Sequence, residues 1–486
     1  MSEDIKKLEP QCVWRHFYSL TQIPRPSKQE AAVIAFVRKF GTDLGLDTTV
    51  DEAGNVVIRK PATPGFENRK TVCLQSHLDM VPQKISSIDF DFATDPIEAY
   101  VEGEWVTARD TTLGADNGIG VAAALAVLEA TDLEHGPLEA LFTVDEETGM
   151  TGAFALTPDL LKADIMLNLD SEDEGELYVG CAGGENTNVT ITYAKEPVPS
   201  GSVAYQLDVT GMKGGHSGLD ICLGRGNAIK VLNRFLYETS KDLDLRIASI
   251  DGGSLRNAIP REAFAVITIN EARRDEFDQA VADFADMILS ELGATEPDMS
   301  LSAEPVDLPA HVIDKDAQTG LIKAVYACPN GVMRWSDDVE GLVETSTNLA
   351  IVKSDNGQIQ VASLQRSSVN SARIDICQQI RCVFEMMGAQ VVHEGAYPGW
   401  NPNMDSPVLQ TMQTVYQDLF GKTPEIKAVH AGLECGLIGA AYPQMDIISF
   451  GPTMKFPHSP DEKVNISTVQ KFWDYLAATL KAIPAK

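Results

Sequence analysis

The chain contains no apolar run near the roughly 18 residues that a membrane span requires, so none of its 486 residues is read as part of a transmembrane helix. It is also short of positive charge. Its 39 Lys and Arg stand against 70 Asp and Glu, a formal net charge of −31. So acidic a surface repels phosphate backbones and anionic lipid, which argues against nucleic acid and membranes as partners. Cysteine is sparse, at eight residues, and none stands in a Cys-x-x-Cys pair. In a large chain these thiols read as reduced and mostly buried, neither zinc ligands nor nucleophiles. The N-terminal stretch Met1-Ser2-Glu3-Asp4 is polar and acidic with no apolar core behind it, and is not read as a secretion signal. A cytoplasmic location is expected. No internal repeat and no low-complexity tract is visible.

What the chain does contain is enough apolar residue for two cores, since 486 residues exceed what one core normally supports. The first part alternates helices and strands. Ser27-Lys28-Gln29-Glu30 reads as a capping box after Pro24 and Pro26, opening a helix through Ala31, Ile34, Ala35 and Phe40. Gly54-Asn55 predicts a hairpin turn into Val56-Val57-Ile58. Short buried strands are predicted at 71–75, 138–144 and 165–169, and an Ala-rich helix at 118–128. This β-α-β alternation predicts an α/β domain with a central, mostly parallel sheet. Residues 185–200 are polar, contain Pro197 and Pro199, and read as a crossing linker. From Tyr205 to about Val392, longer strands and amphipathic helices at 227–237 and 275–292 predict a separate α+β domain. After Gly395-Ala396-Tyr397-Pro398-Gly399-Trp400 the helix–strand alternation resumes. The expected organisation is a first domain at 1–186, an inserted domain at 187–396, and a segment at 397–486 that completes the first.

Chemistry-bearing residues gather where predicted strands end, the place where ligands of open α/β sheets bind. His77-Leu78-Asp79 closes one strand. Residues i and i+2 of a strand share a face, so His77 can ligate a metal while Asp79 fixes its tautomer and raises its basicity. Asp116, within Gly114-Ala115-Asp116-Asn117-Gly118, opens the Ala-rich helix, where a carboxylate serves as an N-cap or as a bridge between two cations. Asp145-Glu146-Glu147 closes another strand. Adjacent carboxylates are costly unless a cation neutralises them. Glu147 is read as a ligand and Glu146 as the base that takes a proton from water on the metal; a solvated acidic turn is the competing reading. Asp170 closes a third strand and is a candidate ligand, with Glu172, Asp173 and Glu174 read as solvated. Far along the chain, Pro457 and Pro460 hold His458 in a rigid turn. If Asp116 bridges, then His77, Asp116, Glu147, Asp170 and His458 give each of two metals three ligands. Nitrogen and oxygen donors without cysteine suit zinc, with cobalt or manganese as substitutes. Two such ions, about 3.5–4 Å apart, can share a hydroxide and stabilise a developing oxyanion.

In this order the motifs His77-x-Asp79, Asp116-Asn117-Gly118, Glu146-Glu147, Asp170 and His458 resemble the two-zinc peptidase family of carnosinases, peptidase T, carboxypeptidase G and the acyl-amino-acid deacylases. Gly214-Gly215-His216-Ser217-Gly218, Arg256-Asn257-Ala258-Ile259-Pro260 and His430-Ala431-Gly432-Leu433-Glu434 extend the likeness over nearly the whole chain. The resemblance implies a zinc-peptidase catalytic domain interrupted by an α+β lid that also carries homodimer contacts. It implies two Zn2+ per subunit, one held by His77, Asp116 and Asp170, the other by Asp116, Glu147 and His458. Asp79 would orient His77, and Glu146 would be the general base that later protonates the leaving amine. His216 would support the oxyanion, in its own subunit or across a dimer. Asn257 and Arg366 would grip the substrate's carboxylate, and Glu434 its free amine. The implied substrates are dipeptides, Xaa-His including β-Ala-His. A tripeptidase, an N-acyl-amino-acid deacylase and a non-catalytic peptide-binding relative are the alternatives. Asp110 stands where relatives often carry glycine, and its effect on the site is left open.

Overall fold

The strands Val72–His77, Leu138–Thr143 and Ile165–Asn168 are buried at every residue, the mark of a sheet covered on both faces. They pair in parallel, and Asp446–Ser449 joins them in parallel beside Ile165–Asn168. The computed structural model describes residues 2–486. The chain forms two units, one of Met1–Gly180, Pro402–Ala428 and Leu433–Lys486, the other of Cys181–Asn401 and Val429–Gly432.

The eight-stranded sheet of the first unit runs in the order Asp47–Val50, Val56–Lys60, Leu138–Thr143, Val72–His77, Ile165–Asn168, Asp446–Ser449, Glu176–Cys181, Glu425–Val429. Its four central strands are parallel, while the Asp47–Val50/Val56–Lys60 hairpin pairs antiparallel. Asp51 folds that turn by accepting the N–H groups of Ala53, Gly54 and Asn55. Helix Ala115–Glu129 is buried along almost its whole length, because its alanines let it lie close to strand Val72–His77 and helix Gln11–Thr21. A helix apolar on all sides belongs in an interior.

The second unit is built on a nine-stranded antiparallel sheet, in which Gly183–Thr192 lies between Gln358–Ser367 and Gln390–Tyr397. Helices Ala228–Thr239, Arg274–Leu292, Lys315–Ala327 and Asn370–Glu385 pack on it around Leu207, Phe235, Phe277 and Phe384. Among the described residues, no helix is long and apolar enough to cross a membrane.

Two local expectations are corrected. Residues 183–192 are a strand and not a linker. Thr187, Val189 and Ile191 are buried, and the polar Asn186, Asn188 and Thr190 are its other face, so composition concealed a period of two. The capping box at Ser27 does not form. Helix Ala31–Asp43 starts without a side-chain cap. The Ser27 hydroxyl donates to Asp79 Oδ2 (2.8 Å), and Glu30 Oε1 accepts the N–H groups of Lys28 (2.9 Å) and Asp145 (3.0 Å).

Candidate metal centre

His77 is the last residue of its strand and is buried. Its Nε2 lies 3.1 Å from Asp116 Oδ1 and 3.4 Å from Asp170 Oδ1. Its Nδ1 lies 3.2 Å from the Asp79 carbonyl oxygen and 3.4 Å from Asp79 Oδ1. Asp79 has a second task. Its carboxylate accepts the N–H groups of Glu146 (3.0 Å) and Glu147 (3.2 Å), so it anchors the short helix Glu146–Gly149 at its N-terminus. Burial alone would raise Asp79, but His77, the Ser27 hydroxyl and the Glu146 N–H hold it down to about 2.

Asp116 leads into helix Ala115–Glu129 with a non-helical backbone, and its other oxygen, Oδ2, stands 3.1 Å from His458 Nε2. His458 Nε2 is also 3.0 Å from Glu147 Oε2. Donor atoms of His77, Asp116 and Asp170 fall within 4.8 Å of one another, as do those of Asp116, Glu147 and His458, and those of His77, Glu146 and Glu147. Asn117 Nδ2 holds Asp170 in place by donating to its Oδ1 and to the Leu169 carbonyl (2.9 Å).

The electrostatics are those of an excess of buried negative charge. Burial and the neighbouring carboxylates of Asp170, Glu434 and Glu147 push Glu146 well above the usual carboxylate range. Burial, with Asp116 and Glu147, takes Asp170 to about 6. Hydrogen bonds to Asp116 and Glu147 lift His458 to about 11. Glu147 Oε1 is buried and has no hydrogen-bond partner, a costly state for a carboxylate oxygen. An oxygen- and nitrogen-only donor set with an unpartnered buried carboxylate oxygen fits a divalent cation.

Glu434 is buried at the start of helix Glu434–Ala441; its Oε2 accepts from Gln75 Nε2 (2.7 Å) and Thr143 Oγ1 (2.7 Å), and its Oε1 has no partner. In the second unit, His216 pairs with Ala258 across a two-residue ladder, and the Ser217 N–H donates to the Asn257 carbonyl (2.8 Å). The Asn257 side chain is exposed. Arg366 is buried on strand Gln358–Ser367; its Nη1 donates to Tyr397 Oη (3.1 Å), and its Nε has no partner. Asp110 is exposed with φ +62°, a left-handed conformation that explains why glycine suits this position.

Glu172 and Glu174 are not solvated as expected. Burial, with Asp116 and Asp170 nearby, raises Glu172 to about 8, and Glu174 accepts from Tyr416 Oη and from Lys471 Nζ (3.2 Å). Two further residues went unsuspected. Glu462 lies in the segment read only for His458, and burial raises it to about 7 against the backbone N–H groups that favour its anion. Arg25 gives no signal in sequence, because its partners are backbone oxygens.

Carboxylates and histidines thus gather at the carboxyl edge of a parallel α/β sheet in groups that could hold metal ions. The model of peptidase family M20/M25/M40 matches residues 73–482, and the chain belongs to that family. It is 45% identical to the cytosol non-specific dipeptidase of Escherichia coli (strain K12), over 100% of both chains. The crystal structure of aminoacylhistidine dipeptidase from Vibrio alginolyticus matches with a TM-score of 0.95 and 49% identity, over 100% of both chains. The aminopeptidase PepT of Bacillus cereus ATCC 10987 shares the fold, with a TM-score of 0.57 and 17% identity over 98% of this chain and 99% of its own.

Proposed function

We propose that the chain is a cytoplasmic, homodimeric dipeptidase that uses two zinc ions, with Xaa-His dipeptides including β-Ala-His among its substrates. The observation that carries the reading is Asp116, whose two oxygens each stand 3.1 Å from a different imidazole Nε2. A carboxylate so shared suits two cations side by side, with His77 and Asp170 on one and Glu147 and His458 on the other. Bound there, divalent ions supply Lewis-acid polarisation of the scissile carbonyl and acidify the attacking water.

The chain's own groups do the rest. Glu146 takes a proton from the attacking water and returns it to the departing amine nitrogen. His216 Nδ1 accepts the N–H groups of Gly218 (3.2 Å) and Leu219 (3.0 Å), so the neutral ring carries its proton on Nε2 and offers it as a donor. Burial and Arg366 lower His216, which favours that neutral form. Its assigned partner is the scissile carbonyl oxygen. The unpartnered Nε of Arg366 suits the substrate's terminal carboxylate, a role also proposed for Asn257, and the unpartnered Oε1 of Glu434 suits the free amine.

The test is a panel on the purified protein with metal analysis. Ala-His and β-Ala-His are expected to be cleaved, Ala-Ala-His and N-acetylhistidine to be left intact. A chelator abolishes turnover and zinc restores it. Cleavage of the tripeptide or the acetylated amino acid instead selects the tripeptidase or deacylase, and metal binding without cleavage selects a peptide-binding protein. Arg366→Ala is expected to raise KM for Ala-His roughly 10- to 150-fold, the equivalent of one charge-assisted hydrogen bond. Steady-state kinetics check this, and an unchanged KM removes Arg366 from the carboxylate site.

A further inference from the structure

Two buried charged side chains, Arg25 and Glu462, bind the backbone beside His77 and Asp116, and Glu462 comes from the His458 loop. Glu462 is 2% exposed and follows His458 by four residues. Its Oε2 accepts the N–H groups of Leu113 (2.8 Å) and Gly114 (3.0 Å), and its Oε1 those of Ala115 (2.7 Å) and Asp116 (3.3 Å). Four consecutive amides leading into Asp116 thus end on one carboxylate from the His458 loop. Arg25, also 2% exposed, works on the carbonyl side. Its Nη1 donates to the carbonyls of Leu78 (2.9 Å) and Asp79 (3.0 Å), and its Nη2 to that of Gly114. The segment after His77 is thereby tied to the segment before Asp116. Among the charged groups around Arg25, Glu462 is the leading favourable neighbour.

Packing around this pair leaves no slack. A Cβ on Gly114 would stand 2.6 Å from Arg25 Nη2, and one on Gly118 2.7 Å from it. Gly114 also has φ +70°. Both glycines flanking Asp116 therefore make room for the guanidinium. Burying two charged groups is costly, and apolar residues of equal volume would fill the same space at least as well. What they cannot do is fix the direction of backbone amides and carbonyls, as a two-oxygen acceptor and a planar fork do.

We propose that Arg25 and Glu462 form a positioning brace that sets the spacing of His77, Asp116 and His458 and so the affinity of the centre for its two divalent ions. The brace rests on the metal-centre reading above. Neither residue touches the reacting atoms; both act through the backbone of residues that do. Misplacing a ligand loop by a fraction of an ångström weakens every ion that shares Asp116.

The experiment compares full-length wild type with Glu462→Gln, whose carboxamide keeps the volume but replaces one acceptor oxygen by an N–H2 facing two N–H groups. Co2+ and Zn2+ are titrated against a chelator, the visible spectrum of the Co2+ form is recorded, and thermal unfolding is followed without added metal. The expected result is a folded variant whose metal affinity falls roughly 10- to 100-fold, the usual effect of losing a group that holds a ligand in place, with an altered Co2+ spectrum. Glu462→Asp, which keeps the charge, recovers part of the affinity. A folded Glu462→Gln with wild-type affinity and spectrum, and only a lower melting temperature, overturns the brace. If Glu462→Gln does not fold, Arg25→Lys, which keeps the charge and loses the fork, is read by the same criteria. Wild type that binds neither Co2+ nor Zn2+ overturns the metal centre and the brace together. Wild type that binds metal without cleaving dipeptides overturns the dipeptidase reading alone, and the affinities still decide the brace.

Discussion

Glu146→Ala is expected to lower kcat for Ala-His by about 100- to 10,000-fold, the span that a positioned acid–base group contributes, and to leave two equivalents of metal bound. The expectation follows from the way Glu146 is held. Its backbone N–H is fixed on Asp79 Oδ1 at 3.0 Å, so the main chain keeps its place when the side chain is removed. Its carboxyl lies near Asp170, Glu434 and Glu147. Glu146 also falls within 4.8 Å of His77 and Glu147 as a possible donor to a cation. Metal analysis of the variant separates the two roles. Loss of activity with metal retained assigns the base, whereas parallel loss of metal and activity makes Glu146 a ligand.

Asp116→Asn should be the most damaging change to metal binding. Asp116 belongs to two of the three groups that pair a histidine with two carboxylates, and its oxygens face His77 and His458 separately. A carboxamide removes the charge and one of the two acceptor oxygens, so both ions lose a partner at once. Metal content is expected to fall toward zero. Activity should drop by roughly 1000-fold or more, since a Lewis acid is worth several kcal/mol in the transition state. Asp170→Asn touches only the His77 group and should leave one ion bound. Elemental analysis of the two variants side by side is the check. Equal stoichiometry in both would mean that Asp116 is not shared.

The sheet and its helices were legible because the signals are local. Leu138–Thr143 and Ile165–Asn168 are short, mostly apolar runs that lead within two residues to an aspartate, and the Ala-rich run at Ala115–Glu129 is helical. Candidate site residues were legible for a related reason. A histidine or a carboxylate directly after a buried strand has few bland explanations, and strand ends converge in a parallel sheet. Where local composition misled, at 183–192 and at Ser27, the deciding partner lay elsewhere in the chain. The polar face of Gly183–Thr192 made sense only between two neighbouring strands, and the Ser27 hydroxyl went to Asp79.

The sequence by itself determined most element types, the family and the residue types from which a metal centre could be drawn. Only the tertiary structure decided which of them meet. His458 and Asp116 are 342 residues apart, and nothing between them encodes a 3.1 Å approach. The double duty of Asp79, and the grip of Arg25 and Glu462 on the segments before and after the candidate ligands, were equally invisible. The reason is physical. Their partners are main-chain N–H and C=O groups, which nearly every residue carries, so a sequence cannot mark the few that a distant side chain will use.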